Sequence, residues 1–203
     1  MNNADEALPD LALYGEETGT GLAVQFACDP PARLALPFDQ TALRGLLLCM
    51  AQAAFAKENA PFVQMELLVV DEAYMENLNR ERMNCPGPTN VLSFPAAAPL
   101  LRSGAGSTAC LPLAPCLACE TTPLFLGSLV LASHTMRREA FLYGQEPEAY
   151  CIRLLAHGFA HLLGLDHGQE MDAVANALER AATHFENALA GGFTPAWTSG
   201  NEE

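Results

Sequence analysis

The chain has 203 residues and half of them are hydrophobic, which suffices for the core of a single domain. Its 24 acidic residues outnumber its 10 basic ones and give a formal net charge of −14. This excess of negative charge argues against a protein that coats nucleic acid, so any site for a polyanion must be local. No apolar run is long enough to cross a bilayer, and the acidic start MNNADEALPD lacks a signal-peptide pattern.

Hydrophobic periodicity, capping residues and turn formers predict an α+β chain of about four strands. We expect residues 1–20 to be a loosely held acidic terminus, residues 21–190 to form a single domain, and residues 191–203 to form a flexible tail. In chain order we predict four strands, at 22–27, 64–70, 89–94 and 124–132. The first predicted helix begins at Asp39 or Thr41 and ends at about 57, and the second follows the Asp71 cap and ends at about 82. Three further helices are predicted at about 133–143, 147–163 and 170–189.

The stretch 95–123 differs in composition from the rest of the domain. It is rich in Pro, Ala, Gly, Ser and Cys and carries almost no charge, so we expect a long loop or insertion. The C-x-x-C pair at 116–119 is isolated, and a second metal there would need two further ligands, for which Cys110 and Cys85 are available. With seven cysteines at irregular spacing and no signal peptide, we expect mostly reduced thiols in a cytoplasmic protein.

Three histidines lie in the segment HGFAHLLGLDH, at His157, His161 and His167. Residues four apart share a helix face, so the first two imidazoles project side by side. Gly164 can end the helix and turn the chain, which would bring the third histidine back toward that face. Three neutral imidazoles around one point predict a zinc site with a fourth position open for water. The alternative is a set of core histidines satisfied by hydrogen bonds.

The histidine spacing matches the H-E-x-x-H-x-x-G-x-x-H pattern of metzincin proteases at every position but one. Gly158 occupies the position of the glutamate, which is the general base of peptide hydrolysis in those enzymes. This difference argues against ordinary metalloprotease chemistry unless another carboxylate substitutes.

The same segment resembles the H-G-x-x-H-L-x-G-x-D-H signature of the YbeY family of bacterial endoribonucleases. PTNVLSFP (88–95) is similar to the strand P-T-N-V-L-S-F-P of that family, and LGSLVL (126–131) lies where the family has L-G-D-[IL]-V-I. The resemblance spans about residues 64–190. It implies a zincin-like α+β fold in which the histidine-bearing helix lines a metal cleft, with one zinc ion held by the three histidines and water.

The resemblance also implies partners. The family cuts single-stranded RNA and is linked to maturation of the 3′ end of small-subunit ribosomal RNA and to ribosome quality control. We therefore expect a ribosomal RNA precursor as substrate, the ribosome or its small subunit as partner, and a cytoplasmic location. We expect neither DNA nor a membrane as a partner.

Two residues depart from the family pattern near the expected site. Met83 stands where the family has an arginine, and Ser128 stands where it has an aspartate. Arg82, one residue earlier, is our first candidate for the guanidinium that neutralises the transition state, and Ser128 could bond a substrate group or a water. Solvated arginines on helix faces are the alternative, and the further candidates are Arg80, Arg137 and Arg138.

Three polar residues flank the expected cleft and each has two interpretations. Asp166 could hold an imidazole tautomer, or could act as a turn or cap residue. Thr89 and Asn90 could line the cleft, or could only cap the turn after Pro88.

Three functions are compatible with these patterns. The first is a zinc-dependent endoribonuclease specific for single strands. The second is a zinc-dependent hydrolase of another bond, such as a peptidase, which a carboxylate near the metal would favour. The third is a catalytically impaired factor that binds RNA or the ribosome, which the residues Met83 and Ser128 favour.

Overall fold

A computed structural model describes residues 21–55, 62–96 and 124–192, and the backbone of residues 11–14. The fold class is α+β, as predicted. The strands are β1 (Leu11–Tyr14), β2 (Gly21–Cys28), β3 (Val63–Val70), β4 (Val91–Pro95) and β5 (Leu124–Ala132). The helices are α1 (Pro30–Arg33), α2 (Gln40–Ala54), α3 (Glu72–Met83), α4 (Ser133–Leu142), α5 (Pro147–Leu162) and α6 (Gln169–Ala190).

The strands form one mixed sheet in the order β1-β2-β3-β5-β4. β2, β3 and β5 are parallel neighbours, whereas β1 and β4 pair antiparallel at the two edges. The four predicted strands are confirmed, and β1 is a fifth that the expected count of about four omitted. It lies within the 1–20 segment that was expected to be loosely held. The strand β1 lies outside the segments in which hydrophobic periodicity predicts strands. It forms because the edge of β2 offers free backbone groups for pairing.

Two aspartates cap the N-termini of α2 and α3. The backbone N–H of Ala42 donates to Asp39 Oδ1 at 2.7 Å, and that of Tyr74 donates to Asp71 Oδ1 at 2.7 Å. Both bonds satisfy amide groups of the first turn that have no partner inside the helix. Asp39 is therefore the cap of α2, and the alternative start at Thr41 is excluded.

The two faces of the sheet bury different apolar sets. Residues of β3 alternate between buried and half-buried from Val63 to Leu68, so every second side chain points to the main core. That core lies between the sheet and the helices α2, α5 and α6. A smaller cluster under α3 fills the opposite face and contains Val70, Met75, Leu92, Val130 and Ala132.

Helix α5 lies very close to the sheet at Gly158. A Cβ atom built on this glycine would be 2.6 Å from Leu129 Cδ2 and 3.1 Å from Ser93 Oγ. Only a residue without a side chain allows this approach, because both neighbours belong to strands held in the sheet. The same closeness brings α5 next to the edge strand β4, where the cleft described below opens.

Several predictions lie outside the described residues. These are most of the 95–123 insertion, the 116–119 cysteine pair with Cys110, and the tail from residue 193. The division into domains therefore stays a prediction. The described cysteines are all free thiols: Cys28, Cys49, Cys85 and Cys151. No helix in the described ranges combines the length and apolar character that crossing a bilayer requires.

Replacing Gly158 by alanine tests the close packing of α5. We expect Gly158→Ala to lower the free energy of unfolding by about 1–3 kcal/mol, because the added methyl group meets Leu129. Chemical denaturation followed by circular dichroism measures this change.

The matched control is Leu129→Ala, alone and combined with Gly158→Ala. Because the shortened side chain makes room for the new methyl group, the double variant should be less destabilised than the sum of the two single variants. Strict additivity would mean that these two positions do not meet.

Candidate metal centre

Helix α5 carries two of the three histidines on one inward face. His157 and His161 are one turn apart, and their ring centroids are separated by 4.8 Å. The same face continues through Leu154 and Tyr150, each 7% exposed. The histidines themselves are only half-buried, because they lie where this face leaves the core and borders the cleft.

The third histidine arrives through a turn that depends on Gly164. This residue has φ +87°, a left-handed conformation that glycine adopts without strain. Its N–H donates to the carbonyl of His161 at 2.9 Å, and the next N–H, of Leu165, donates to the carbonyl of Ala160 at 3.3 Å. These two bonds form a Schellman cap, which ends α5 and reverses the chain toward its own last turn.

The reversal places His167 beside the other two rings. Its ring centroid lies 4.7 Å from that of His161 and 5.5 Å from that of His157. One ring nitrogen from each histidine can be chosen so that all three lie within 4.8 Å of one another. The three imidazoles are therefore positioned to bind one metal ion, as the spacing predicted.

A backbone carbonyl selects the tautomer of His161. The Nδ1 atom of this ring lies 2.9 Å from the carbonyl oxygen of Leu165. Because a carbonyl only accepts, Nδ1 must carry the hydrogen, and Nε2 keeps its lone pair for a metal. This contact was not foreseen, although the glycine that creates the turn is visible in the sequence.

Asp166 acts mainly on the backbone of the turn. Its Oδ1 accepts from the N–H of His167 at 2.8 Å, but lies 3.4 Å from the Nδ1 atom of that ring. The backbone hydrogen bond is the largest cause of the lowered pKa of the Asp166 carboxyl. The geometry therefore favours the turn interpretation of this residue over a tautomer-holding role.

The two helical histidines favour the neutral form that metal binding requires. Burial is the largest cause that lowers the pKa of His157, and the nearby rings of His161 and His167 lower it further. Burial is also the largest cause that lowers the pKa of His161. The hydrogen bond to Leu165 raises this pKa but does not outweigh burial. Protonated imidazoles this close together would also repel each other.

The histidines open into a cleft of about 780 Å³ between α5, the end of α3 and the edge strand β4. The P-T-N segment before β4 forms part of its wall, so Thr89 and Asn90 do line the cleft. The complete lining within the described part of the chain is Met83, Thr89, Asn90, Val91, Leu92, Ser93, Pro95, Tyr150, Arg153, Leu154, His157, His161, Gly164, Leu165, Asp166 and His167.

A polar network fixes the wall of the cleft beside the histidines. Asn90 Nδ2 donates to Glu139 Oε2 at 2.7 Å, and the hydroxyl of Tyr150 donates to the same oxygen at 3.0 Å. Burial, followed by the hydrogen bond to Glu139, raises the pKa of Tyr150 to about 12, so this hydroxyl remains a donor. The network joins the start of β4 to α4 and α5.

The two catalytic residues predicted from the sequence do not line the cleft. Arg82 is exposed near the end of α3, and its neighbour Met83 borders the cleft instead. The side chain of Ser128 donates to Glu66 on the adjacent strand. Leu129 faces α5, so Ser128 points to the opposite face of the sheet. Catalytic roles for both residues stay predictions that this placement does not support.

The other candidate arginines are also remote from the cleft lining. Arg138 pairs with Glu72 at 2.7 Å on the surface, and Arg80 donates to Asn77. Arg137 is exposed on α4. The cleft cation that sequence reasoning missed is Arg153, whose position four residues before His157 was the available signal.

The fold and site together define an α+β domain with three histidines positioned to bind one metal ion beside the edge strand of its sheet. The family model described as Endoribonuclease YbeY matches residues 36–186, and the chain belongs to this family.

Similar proteins agree with this assignment. The Endoribonuclease YbeY of Nitratidesulfovibrio vulgaris is 40% identical over 163 residues, which cover 76% of this chain and 92% of that protein. The Endoribonuclease YbeY of Oleidesulfovibrio alaskensis is 37% identical over 145 residues, which cover 70% and 79% respectively. The solution structure of TM1509 from Thermotoga maritima has a similar fold, with a TM-score of 0.52 and 15% identity over 85% of this chain and 97% of that one.

The affinity of this centre for metal should depend on pH in a defined direction. Protons compete with a metal ion for the imidazole nitrogens, so affinity falls as the pH falls. Because the pKa values of His157 and His161 lie below the ordinary 6.5, we expect the main loss of affinity to occur below about pH 6.5.

Zinc titrations against a competing chelator, from about pH 5 to about pH 8, measure this dependence. An affinity that is unchanged over that range would contradict metal binding through imidazole.

Proposed function

We propose that this chain is a zinc-dependent endoribonuclease that cuts single-stranded RNA. The observation that carries the proposal is the convergence of His157, His161 and His167 on one side of an open cleft, in a chain of the YbeY family. The relatives named above are described as endoribonucleases, which supports an RNA substrate for this chain.

Zinc fits the donor set better than the hard divalent cations do. Three imidazole nitrogens are typical ligands of zinc, whereas magnesium and calcium prefer oxygen ligands. When bound here, zinc would supply a water molecule with a pKa near 7 and would polarise a phosphoryl oxygen. His157, His161 and His167 would hold it, and the carbonyl of Leu165 would keep the His161 ring in the required tautomer.

Peptide hydrolysis finds little support in the site. The general base of metzincins would have to occupy position 158, where even a Cβ atom meets Leu129 at 2.6 Å. Asp166 is the one carboxylate in the described lining of the cleft, and it is engaged with the backbone of the turn. Zinc held by the three histidines would supply hydroxide near neutral pH without a carboxylate base, so RNA cleavage is compatible with this lining.

A catalytically impaired binding factor was the third hypothesis, based on Met83 and Ser128. The cleft nevertheless retains all three histidines, positioned to bind one metal ion. This arrangement supports an active enzyme. Intact RNA affinity without cleavage in the experiment below would instead support the impaired factor.

The substrate and the location follow from the family. We propose that the RNA is the precursor of small-subunit ribosomal RNA, cut near its 3′ end, and that the protein acts in ribosome quality control. Contact with the ribosome or its small subunit, and a cytoplasmic location, are part of this proposal.

Removing one imidazole tests the metal mechanism. We expect His161→Ala to lose bound zinc and to lower single-stranded RNA cleavage by more than about 100-fold. Mutation of a residue that only supports a metal ligand typically lowers metal affinity or activity by about 10–100-fold, and loss of the ligand itself should lower them further. Metal analysis and digestion of labelled RNA measure both losses on the same preparation.

The matched control is His184→Ala, an exposed histidine of α6 outside the cleft lining. It should keep both the metal and the cleavage. A chelator should abolish cleavage by the unaltered protein, and added Zn²⁺ should restore it. RNA cleavage that survives metal removal would exclude the zinc mechanism.

A further inference from the structure

A single arginine or lysine, Arg153, borders the histidine cleft among the lining residues that the structure describes. It lies on α5 four residues before His157, which corresponds to about 6 Å along the helix axis. A phosphodiester close to the three imidazoles would therefore be within reach of its guanidinium.

We propose that Arg153 contacts the phosphate backbone of RNA bound in the cleft and supplies the positive charge that the YbeY family places at position 83. The identity of the ligand as RNA depends on the function proposed above. The contact itself depends on the position and charge of the side chain.

The end of α3 explains why another residue must supply this charge. Met83 borders the cleft and is 54% exposed, but its thioether can neither neutralise a phosphate nor donate a hydrogen bond. Arg82 is the adjacent residue, and successive helix residues point about 100° apart. Arg82 does not appear in the cleft lining, so it does not replace the family arginine that is absent at position 83.

Arg153 is held in position without being buried. Its Nη1 donates to Gln145 Oε1 at 2.8 Å, and its Nε lies 3.5 Å from Glu179 Oε1. The side chain nevertheless remains 49% exposed. Contacts with the segment before α5 and with α6 restrict the guanidinium, so less conformational freedom is lost when it binds a phosphate.

The negative charge of the molecule makes a local cation especially important. With a formal net charge of −14, the protein as a whole repels a polyanion such as RNA. A guanidinium beside the metal centre offers charge-assisted hydrogen bonds, which are stronger than neutral ones. Its planar donors also match a phosphate in pairs, which a lysine ammonium cannot do.

Substitution of Arg153 tests the contact on the zinc-loaded, full-length protein. We expect Arg153→Ala to lower kcat/KM for single-stranded RNA by about 10- to 100-fold, the loss expected for a hydrogen bond to a charged group, while the zinc content stays unchanged. Arg153→Lys should recover only part of the activity. Arg180→Ala, an exposed arginine of α6 outside the cleft lining, is the charge-matched control and should cleave normally.

A purely structural role for Arg153 predicts a different pattern. If the residue mattered only for linking α5 to α6, Glu179→Ala, which removes the oxygen that Nε contacts, should impair cleavage in the same way. If Arg153 binds phosphate, Glu179→Ala removes a competing negative charge and should strengthen RNA binding. Parallel losses in both variants would overturn the proposal.

Binding measurements separate this proposal from the proposed function. The probe is a fluorescent 2′-O-methyl oligouridine, and gel electrophoresis after each titration checks that it is still intact. Loss of one phosphate contact should reduce the slope of log Kd against log salt by about 0.7 for a single strand. If the unaltered protein shows no cleavage but Arg153→Ala lowers this slope, the nuclease assignment fails and the contact stands. An unchanged slope and unchanged kcat/KM would overturn the contact alone.

Restoring the family arginine completes the test. Because Met83 borders the same cleft, Met83→Arg in the Arg153→Ala background should recover at least part of the lost cleavage. A larger loss of kcat/KM in Arg82→Ala than in Arg153→Ala would assign the contact to Arg82 and overturn the proposal.

Discussion

The close packing of α5 against β4 and β5 is the constraint on which the site depends. Gly158 allows the helix to approach until Leu129 and Ser93 occupy the space of a side chain. This approach places the face of α5 that carries His157 and His161 beside the edge strand, so the cleft has a wall on each side. The same contact leaves no room for a glutamate at position 158. One packing interaction therefore positions these two histidines beside the cleft and leaves no room for the base of metzincin proteolysis.

The turn after α5 adds the chemical part of the site to this framework. Gly164 provides the left-handed conformation that reverses the chain, and the reversal brings His167 to the other two rings. It also directs the carbonyl of Leu165 at His161 Nδ1. Burial lowers the pKa values of His157 and His161, so the folded protein presents neutral imidazoles before any metal binds. Backbone geometry and burial thus prepare the centre together.

Two family positions have changed in this chain, and only one of them borders the cleft. The arginine position holds Met83, and Arg153 of α5 brings a guanidinium to the same cleft. The aspartate position holds Ser128, whose side chain donates to Glu66 on the face of the sheet opposite α5. That carboxylate therefore lies outside the described lining of the cleft. A local guanidinium is the feature that makes this strongly acidic chain compatible with the proposed RNA substrate.

Features that depend on residues close together in the chain could be predicted from the sequence alone. The aspartate caps of α2 and α3, the alternation of β3, the spacing of the histidines and the turn at Gly164 each depend on residues within a few positions of one another. Contacts between distant segments needed the tertiary structure. Which arginine enters the cleft, which sheet face Ser128 occupies, and which edge β1 joins depend on the packing of elements far apart in the chain. Local pattern does not determine such packing, because the direction of a side chain becomes meaningful only when its neighbours are in place.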